Sequence, residues 1–365
     1  MRRLRVIDKM QDFEKHKLNF FSFLSRVDEN DKKVGIISHA NCTDGMASVI
    51  FMIQILKKKF PWIDADINFI TYTKGKLDEL SIDFYDKGIR KVFVLDLNVD
   101  ASLFDEFEKF KSKFDVLFVD HHPLNPDLRI DEKVIKTHKD DCTSLVLFRF
   151  GEDVINYDKW NWLACVTAVS EFSYKDEDNL KFIQKHYDFN AENASGSKIF
   201  DLVNKINSLI TYYSKDSLKA YEVLLKGDFN EIEKINKEVS EELDRCLKDF
   251  EENAEKYFDG YLCFYLFKPR FSFGSTLSTI MSVRHKGSTI IVISEVDEDN
   301  KFKVSARNNG VLRYSMNDML KSGILGLEGA LAGGHAVASG GSFLRRDLDK
   351  FKKNIIDFVR DRVNN

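Results

Sequence analysis

The sequence lacks the features that mark membrane and secreted proteins. It contains no run of about 18 uninterrupted apolar residues, the length that a helix needs to cross a bilayer. Residues 1–5 are basic, but polar residues follow them where a secretory signal peptide would have its apolar core. We therefore expect no membrane partner and a cytoplasmic location.

The sequence also lacks paired cysteines and a strong charge of either sign. Its 5 cysteines form no Cys-x-x-Cys pair, which argues against a zinc ribbon, and their odd number favours a reducing compartment. The formal net charge of -4 gives no general attraction to nucleic acid and argues against a protein that coats long DNA. Any site for a polyanion must then be a local basic patch.

What the sequence does contain fits a globular protein with two domains. Its 365 residues are many for a single core, and its 43% hydrophobic and 31% charged residues are ordinary for a soluble globular chain. We expect an N-terminal domain over residues 1–175 and a helical connector over 176–255. A smaller domain over 256–350 and a C-terminal helix or tail over 351–365 complete the predicted organisation.

The N-terminal domain has the alternating pattern of a parallel sheet. After a covering helix within residues 1–30, short apolar runs alternate with stretches of helical spacing. Strands and helices in alternation are typical of parallel strands joined by crossover helices, so we predict an α/β fold. The predicted strands cover residues 33–39, 68–73, 91–96 and 116–119.

Ionisable side chains follow three of these strands. His39 ends the first, Asp96 ends the third, and the triplet Asp120, His121 and His122 follows the fourth. Because parallel strands have their carboxyl ends at one edge of the sheet, these side chains can converge although they lie far apart in the sequence. Imidazole and carboxylate are ligand types that suit Mn²⁺, Fe²⁺ or Zn²⁺. The sequence thus predicts a shared metal site.

Two later segments carry further candidates. A nearly apolar helix over residues 161–172 has Glu171 in its last turn, where a carboxylate needs a partner or a ligand. In the second domain, four glycines with small neighbours surround His335, and we predict a loop whose backbone can approach an anionic ligand closely. Arg307 adds a side chain that is suited to bidentate phosphate contact.

The triplet Asp120-His121-His122, together with the stretch Gly-Gly-His-x-x-Ala-Ser-Gly at residues 333–340, resembles the DHH phosphoesterase superfamily with a C-terminal DHHA1 domain. The resemblance covers residues 33–175 and 256–345, in this order. It implies an N-terminal DHH domain with a parallel sheet, a helical connector and a smaller C-terminal α/β DHHA1 domain. The superfamily includes nanoRNases that also dephosphorylate pAp, cyclic-dinucleotide phosphodiesterases and the RecJ exonucleases.

The resemblance implies a site for two divalent metal ions, with Mn²⁺ as the first expectation. Asp96 would bridge the ions, and Asp158 is the alternative to Glu171 as the last ligand. Cys42 and Glu171 stand where the family usually has aspartate. A thiolate is a softer donor than a carboxylate, so Cys42 either favours Fe²⁺ or Zn²⁺ or fails to bind. The implied metal ligands are His39, Cys42, Asp44, Asp96, His121 and Glu171.

The resemblance also assigns residues to the substrate. Asp120 would orient His121 by accepting its second ring N–H, and His122 would stabilise charge on the reacting phosphate or protonate the leaving oxygen. In the second domain, the terminal nucleotide and its phosphate would be held by Arg307, Gly333, Gly334 and His335.

The expected activity is a metal-dependent phosphodiesterase of the nanoRNase type, a 3′–5′ exonuclease acting on short single-stranded RNA or DNA. Linear dinucleotides and pAp are further expected substrates. A cyclic-dinucleotide phosphodiesterase and a nucleotide-binding regulatory protein with a lapsed metal site are the alternatives. The inorganic pyrophosphatases of the superfamily rank low because they carry a different second domain. The oligomeric state stays open, with a homodimer as one possibility.

Overall fold

The computed structural model describes residues 2–71, 74–99, 103–123, 125–138, 140–296, 300–310 and 313–363. The chain divides into two compact units, Met1–Asn236 and Lys237–Asn365. Among the described residues, no helix combines the length and the apolar character that crossing a bilayer requires.

The first unit is built on a parallel sheet of five strands. The strand order is β2-β1-β3-β4-β5, and every neighbouring pair runs parallel. All five carboxyl ends therefore lie at the same edge, as the sequence predicts for the strands that end in ionisable residues. The strands are β1 (Lys33–His39), β2 (Asp64–Ile70), β3 (Lys91–Leu95), β4 (Asp115–Asp120) and β5 (Val134–Lys136).

Helices cover both faces of this sheet. Alternate residues of a strand point to opposite faces, so Val116 and Phe118 of β4 join the core cluster that contains Phe84 and Phe107, whereas Phe93 of β3 packs edge-on against Phe23. The helices of this unit are α1 (Arg2–Leu24), α2 (Thr43–Lys59), α3 (Lys76–Asp86), α4 (Phe104–Lys111), α5 (Thr143–Phe150), α6 (Tyr157–Ser170), α7 (Glu177–His186), α8 (Lys198–Tyr212) and α9 (Ser217–Lys226). The helix α10 (Phe229–Asn253) begins in this unit and continues into the second. The predicted α/β class is confirmed.

Two features of the first unit differ from the sequence prediction. The second strand lies at Asp64–Ile70 instead of 68–73, because its alternating polar and apolar residues suit a half-exposed edge strand; residues 72 and 73 lie outside the described part of the chain. The strand β5 has only three residues, too few to give a hydrophobic pattern.

The segment 176–255 is largely helical and contains α7 to α10, and the division between the two units falls within α10.

The second unit contains a mixed sheet of six strands in the order β10-β11-β9-β8-β7-β6. Strands β7 and β8 are parallel, and the other neighbours are antiparallel. One face packs against α12 and α13, where the rings of Phe343 and Phe351 stack 4.4 Å apart. The elements are β6 (Glu255–Tyr257), β7 (Leu262–Phe267), β8 (Thr289–Val296), β9 (Lys301–Asn308), β10 (Leu331–Gly334), β11 (Ala338–Leu344), α11 (Gly274–Arg284), α12 (Met316–Gly323) and α13 (Leu348–Val363).

The glycine-rich stretch around His335 is not the loop that we predicted. It forms the antiparallel pair β10 and β11 at the edge of the second sheet, with His335 in the connecting turn. Glycine permits this pairing because a Cβ atom at Gly341 would lie 2.5 Å from the carbonyl oxygen of Leu331.

Candidate metal centre

Side chains from three strand ends converge at the carboxyl edge of the first sheet. His39, Cys42 and Asp96 each offer one potential ligand atom, and these three atoms lie within 4.8 Å of one another. A second group with the same spacing consists of Asp96, His121 and His122. Asp96 belongs to both groups and therefore lies at the centre of the cluster. The convergence expected from the strand ends is thus present, although the roles assigned to these residues stay predictions.

Asp96 is fixed in an unusual backbone conformation directly after β3. Its φ of 52° lies in the left-handed region, which aspartate tolerates better than most residues. The carboxylate is completely buried, and its Oδ1 lies 3.3 Å from Thr143 Oγ1 and 3.5 Å from His121 Nε2. Its Oδ2 lies 3.5 Å from Cys42 Sγ. Strained residues of this kind cluster at functional sites.

Asp44 is held by the first turn of α5. Its two carboxylate oxygens accept hydrogen bonds from the backbone N–H groups of Thr143 and Ser144, each at 2.8 Å. These N–H groups belong to the start of a helix and would otherwise lack partners inside the protein. The positive end of the helix dipole also stabilises the buried charge of Asp44. The start of α5 therefore positions Asp44 beside His121, and Asp44 Oδ2 lies 3.6 Å from His121 Nε2.

Ser38 and Gly45 connect the loop that carries Cys42 to the strands beside it. Ser38 Oγ is buried and lies 2.9 Å from the carbonyl oxygens of both Gly45 and Leu95. A Cβ atom at position 45 would lie 2.5 Å from the carbonyl oxygen of His39, so only glycine lets α2 begin this close to β1. Neither residue was predicted from the sequence, in which the Asp44-Gly45 pair at a helix start was the available signal.

Asp120 contacts His122 instead of His121. Its Oδ1 lies 2.8 Å from His122 Nδ1, and Oδ2 accepts hydrogen bonds from the His122 backbone N–H and from Lys136. The expectation that Asp120 orients His121 was therefore wrong, because the chain turns at Asp120 so that the second histidine ring comes back to it. Burial acts to raise the pKa of Asp120, but the hydrogen bond from His122 and the charge of Lys136 lower it below its usual range.

Lys136 is a further residue that the sequence analysis missed. It ends β5, so like His39 and Asp96 it is an ionisable group at the carboxyl end of a parallel strand. Its side chain is 10% exposed and forms an ion pair with the fully buried carboxylate of Asp120. We missed it because the strand is too short to recognise in the sequence.

Two carboxyl groups of the cluster are destabilised in their charged forms. Burial raises the pKa of Asp96 well above its usual range and also raises that of Glu171, and the neighbouring Asp44 raises both further. Burial alone would lower the pKa of His121, but its hydrogen bond to Asp96 and the charges of Asp44 and Asp96 raise it to about 9. A divalent cation would supply the missing positive charge.

The donor set fits such a cation. Burial, together with the charge of His122, lowers the pKa of His39 to about 4, so this imidazole is neutral near pH 7, the form that binds metals. His121 Nδ1 is buried and has no hydrogen-bond partner among the described residues. Imidazole, thiol and carboxylate together match the ligand types of Mn²⁺, Fe²⁺ and Zn²⁺.

Glu171 lies at the cluster, and its alternative Asp158 lies at the other end of the same helix. Glu171 follows the last residue of α6, and its Oε1 is 4.0 Å from Cys42 Sγ. Asp158 is in the first turn of α6. At a rise of about 1.5 Å per residue the helix separates the two by roughly 20 Å, so Asp158 is too far along α6 to share the site with Glu171.

The second unit contains a cavity of about 470 Å³ beside its glycine-rich strands. Gly333 lines it, as do Lys303 and Ser275, and the Arg307 guanidinium donates to Ser275 Oγ at 2.8 Å. Arg307 also donates to the carbonyl oxygens of Ala306 and Ser339, which fixes its orientation. Gly334 has a φ of 139°, which favours glycine, and His335 is exposed in the turn that follows. The cavity thus combines bare backbone, hydroxyl groups and positive charge.

These features define an α/β protein with a cluster of potential metal ligands at the carboxyl edge of a parallel sheet. The model of the DHH family N-terminal domain matches residues 33–189, and the model of the DHHA1 domain matches residues 274–361. Together they span about two thirds of the chain, in the order expected from the sequence motifs. The chain contains a DHH family N-terminal domain, and a DHHA1 domain follows it.

Solved structures with the same fold include RecJ proteins. The exonuclease RecJ bound to manganese is 13% identical, the match covers 94% of each chain, and the TM-score is 0.67. RecJ from Thermus thermophilus in complex with Mn²⁺ is 14% identical, with 96% of this chain and 55% of that chain covered and a TM-score of 0.62. CDC45 from Entamoeba histolytica is 10% identical, with 94% and 98% covered and a TM-score of 0.58.

At these low sequence identities, the similarity to the solved structures shows a shared fold and nothing further. No curated protein sequence matches this chain.

Proposed function

We propose that the chain is a metal-dependent phosphodiesterase that removes nucleotides from the 3′ end of short RNA or DNA oligonucleotides. The observation that carries this proposal is the position of Asp96, whose carboxylate is shared by two groups of potential metal ligands in a DHH domain. Linear dinucleotides and pAp are the smallest substrates that we include. The proposal places the protein in the cytoplasm and leaves its oligomeric state, including a homodimer, to measurement.

The metal ligands in this proposal are the six residues assigned by the sequence motifs. Two bound divalent ions, with Mn²⁺ as the first to test, would make a water molecule acidic enough to attack phosphorus near neutral pH. Asp96 would bridge the two ions, and Thr143 and Cys42, which lie against its two oxygens, would limit its rotation. The proposed ligands are His39, Cys42, Asp44, Asp96, His121 and Glu171.

His122 is the residue that we assign to the substrate phosphate. Its Nδ1 is held by Asp120, and the side chain is 27% exposed, so the opposite ring nitrogen is available to a ligand. Asp120 is itself fixed by Lys136 and holds the His122 ring in one orientation. A protonated imidazole can stabilise charge on the reacting phosphate or donate a proton to the leaving oxygen.

The second unit supports a preference for short substrates. Its cavity of about 470 Å³ lies within the size range of small-molecule pockets, and Lys303 and the backbone of Gly333 offer donors to a phosphate. We propose that this cavity, with Arg307, Gly334 and His335 beside it, holds the terminal nucleotide. The net charge of -4 adds no general attraction to long strands.

The test is hydrolysis of 5′-labelled RNA and DNA from the dinucleotide to about fifteen nucleotides, a span comparable to known single-strand sites. Linear and cyclic dinucleotides and pAp are run alongside, each with Mn²⁺, Mg²⁺, Fe²⁺ or Zn²⁺ added after removal of bound metal. A ladder of shortened 5′-labelled products is the expected result, with faster turnover of the shorter chains.

Two aspartate variants make the test specific to the site. Asp96→Asn should abolish hydrolysis, whereas Asp115→Asn, at the opposite end of β4 and paired with Lys133, should retain it. Immediate release of the labelled 5′ nucleotide would reverse the proposed polarity. Cleavage of cyclic dinucleotides alone would replace the substrate class, and silence with every metal would favour a nucleotide-binding protein without activity.

A further inference from the structure

We infer that the two metal positions are chemically unequal: the position formed by His39, Cys42 and Asp96 binds a thiophilic ion tightly through the Cys42 thiolate, and the other exchanges Mn²⁺ or Mg²⁺ freely. The inference rests on the metal centre of the proposed function and goes beyond it, because it assigns a different ion to each position. It concerns Cys42, which stands where relatives of this motif usually have aspartate.

The position of Cys42 in the fold brings its thiol to the candidate metal centre. Cys42 is the residue before α2, where a side chain usually caps the helix, but its thiol makes no cap hydrogen bond. The preceding Asn41 has a φ of 59°, so the chain reverses there and directs the thiol toward the strand ends. Sγ lies 3.5 Å from Asp96 Oδ2 and 4.0 Å from Glu171 Oε1. The thiol therefore faces the acidic cluster.

The two ligand groups differ in composition. His39, Cys42 and Asp96 offer nitrogen, sulfur and oxygen. The second group of proposed ligands, in which His121 Nε2 lies 3.6 Å from Asp44 and 3.5 Å from Asp96, offers only nitrogen and oxygen. Thiolate favours ions such as Zn²⁺, Fe²⁺ and Co²⁺ over Mn²⁺ and Mg²⁺, which prefer oxygen. Of these two groups only the first contains sulfur, so only the first position should discriminate strongly between these ions.

The first position is rigid. His39 ends β1, and Ser38 Oγ ties β1 to the carbonyl oxygens of Gly45 and Leu95. The start of α2 lies close against β1, since even a Cβ atom at position 45 would lie 2.5 Å from the carbonyl oxygen of His39. Ligands that the fold holds in place bind a metal ion tightly, because their side chains lose little conformational entropy on binding.

Cys142 provides a matched internal control. It also precedes a helix, α5, with nearly the same backbone angles and without a cap hydrogen bond, and it is also followed by threonine. Its sulfur lies 3.9 Å from Thr167 Oγ1 and 4.0 Å from Ser144 Oγ. Within the described residues, it belongs to no group of convergent metal ligands.

The experiment measures metal binding directly. Full-length protein freed of metal is titrated with Co²⁺, and the near-ultraviolet charge-transfer band between thiolate and cobalt is recorded. We expect the band with the first equivalent of Co²⁺ in wild type and in Cys142→Ser, and we expect Cys42→Ser and Cys42→Asp to lack it. Serine and aspartate both cap helices well, so these variants should fold.

Retention of Zn²⁺ during dialysis gives a second readout by elemental analysis. Loss of residues that only support a ligand typically costs about 10- to 100-fold in metal affinity. Removal of the thiol should therefore weaken Zn²⁺ binding at least about 10-fold, and Cys42→Asp should strengthen Mn²⁺ binding relative to Zn²⁺.

A band that persists in Cys42→Ser, a band that is missing in wild type, or equal retention of Zn²⁺ in wild type and Cys42→Ser would each overturn the inference. These outcomes are distinct from a failure of the proposed function. If wild type shows the band and hydrolyses no nucleotide, the activity is wrong while the unequal metal positions stand.

Discussion

Replacing Gly45 with alanine should separate the stability of the first unit from the geometry of its metal centre. The added Cβ would lie 2.5 Å from the carbonyl oxygen of His39 and 3.0 Å from Ser38 Oγ. That carbonyl belongs to β1, which is held between β2 and β3 and cannot withdraw easily. The start of α2, with Cys42 and Asp44, must therefore move by about half an ångström, because close-packed interiors absorb little added volume.

Two opposing terms set the change in the free energy of unfolding. Overpacking costs about 1–3 kcal/mol, whereas alanine in place of glycine within a helix contributes about 1 kcal/mol. The net loss is then roughly 0–2 kcal/mol, small against the total stability of a domain. The effect on catalysis should be larger, since a misplacement of about 1 Å can cost a factor of about 100. We expect kcat/KM of the proposed reaction to fall about 10- to 100-fold.

Gly35→Ala is the matched control. Gly35 lies in the same strand, β1, and its added Cβ would lie 2.6 Å from the ring of Phe84, away from the ligands. Urea unfolding should show a similar loss of stability in both variants, while Co²⁺ binding and hydrolysis should decline only in Gly45→Ala. If Gly45→Ala keeps both, or if Gly35→Ala loses both equally, the close approach at Gly45 does not position the ligands.

Three further predictions concern the charges of the cluster. Asp96→Asn should abolish the rise in Tm on adding Mn²⁺, because it removes the carboxylate that the two groups of potential ligands share; a retained rise would contradict its bridging role. Lys136→Met should cost about 3–5 kcal/mol by leaving the buried charge of Asp120 without its lysine, and the double variant with Asp120→Asn should recover most of this in urea unfolding. The pH dependence follows from His121, whose raised pKa means that the folded protein holds a proton that the unfolded chain releases. Its contribution is complete below pH 6.5 and is lost as the pH rises to about 9, a loss of about 3 kcal/mol. Unfolding in EDTA at pH 6.5 and pH 9 should show this slope, and saturating Mn²⁺ should reduce it; equal slopes with and without Mn²⁺ would refute it.

The sequence was sufficient for the parts of the site that lie directly on strand ends. His39 and Asp96 follow clear hydrophobic runs, and the rule that parallel strands share a carboxyl edge brings their side chains together without any coordinates. It was insufficient where a contact depends on the path of the chain after the strand. Which histidine meets Asp120 is decided by the turn at residues 121–123 and by Lys136 on a strand of three residues.

The same limit applies to the second unit. Four glycines around His335 indicated that the backbone approaches another group closely. The structure contains such a close approach, but it joins the two paired strands β10 and β11 and does not lie in a loop. Glycine has low strand propensity, so local preference favoured the loop, and pairing with β9 outweighed that preference. The support of Asp44 by the start of α5, about a hundred residues away in the sequence, is likewise a tertiary contact that no local pattern encodes.

Three aspartates of the centre are completely buried, yet the protein compensates each charge differently. Asp120 has Lys136 and His122, and Asp44 has two N–H groups at the positive end of α5. Asp96 contacts the hydroxyl of Thr143, the thiol of Cys42 and the protonated ring of His121, and these groups compensate its negative charge less well. The pKa of Asp96 is accordingly raised, whereas that of Asp120 is lowered. The proton on His121 and a bound divalent cation are thus alternative ways to balance the same carboxylate. Of these three aspartates, Asp96 is the one whose charge the fold compensates least, and it is also the one that would bridge two cations. The electrostatics and the geometry therefore both indicate Asp96 as the central metal ligand.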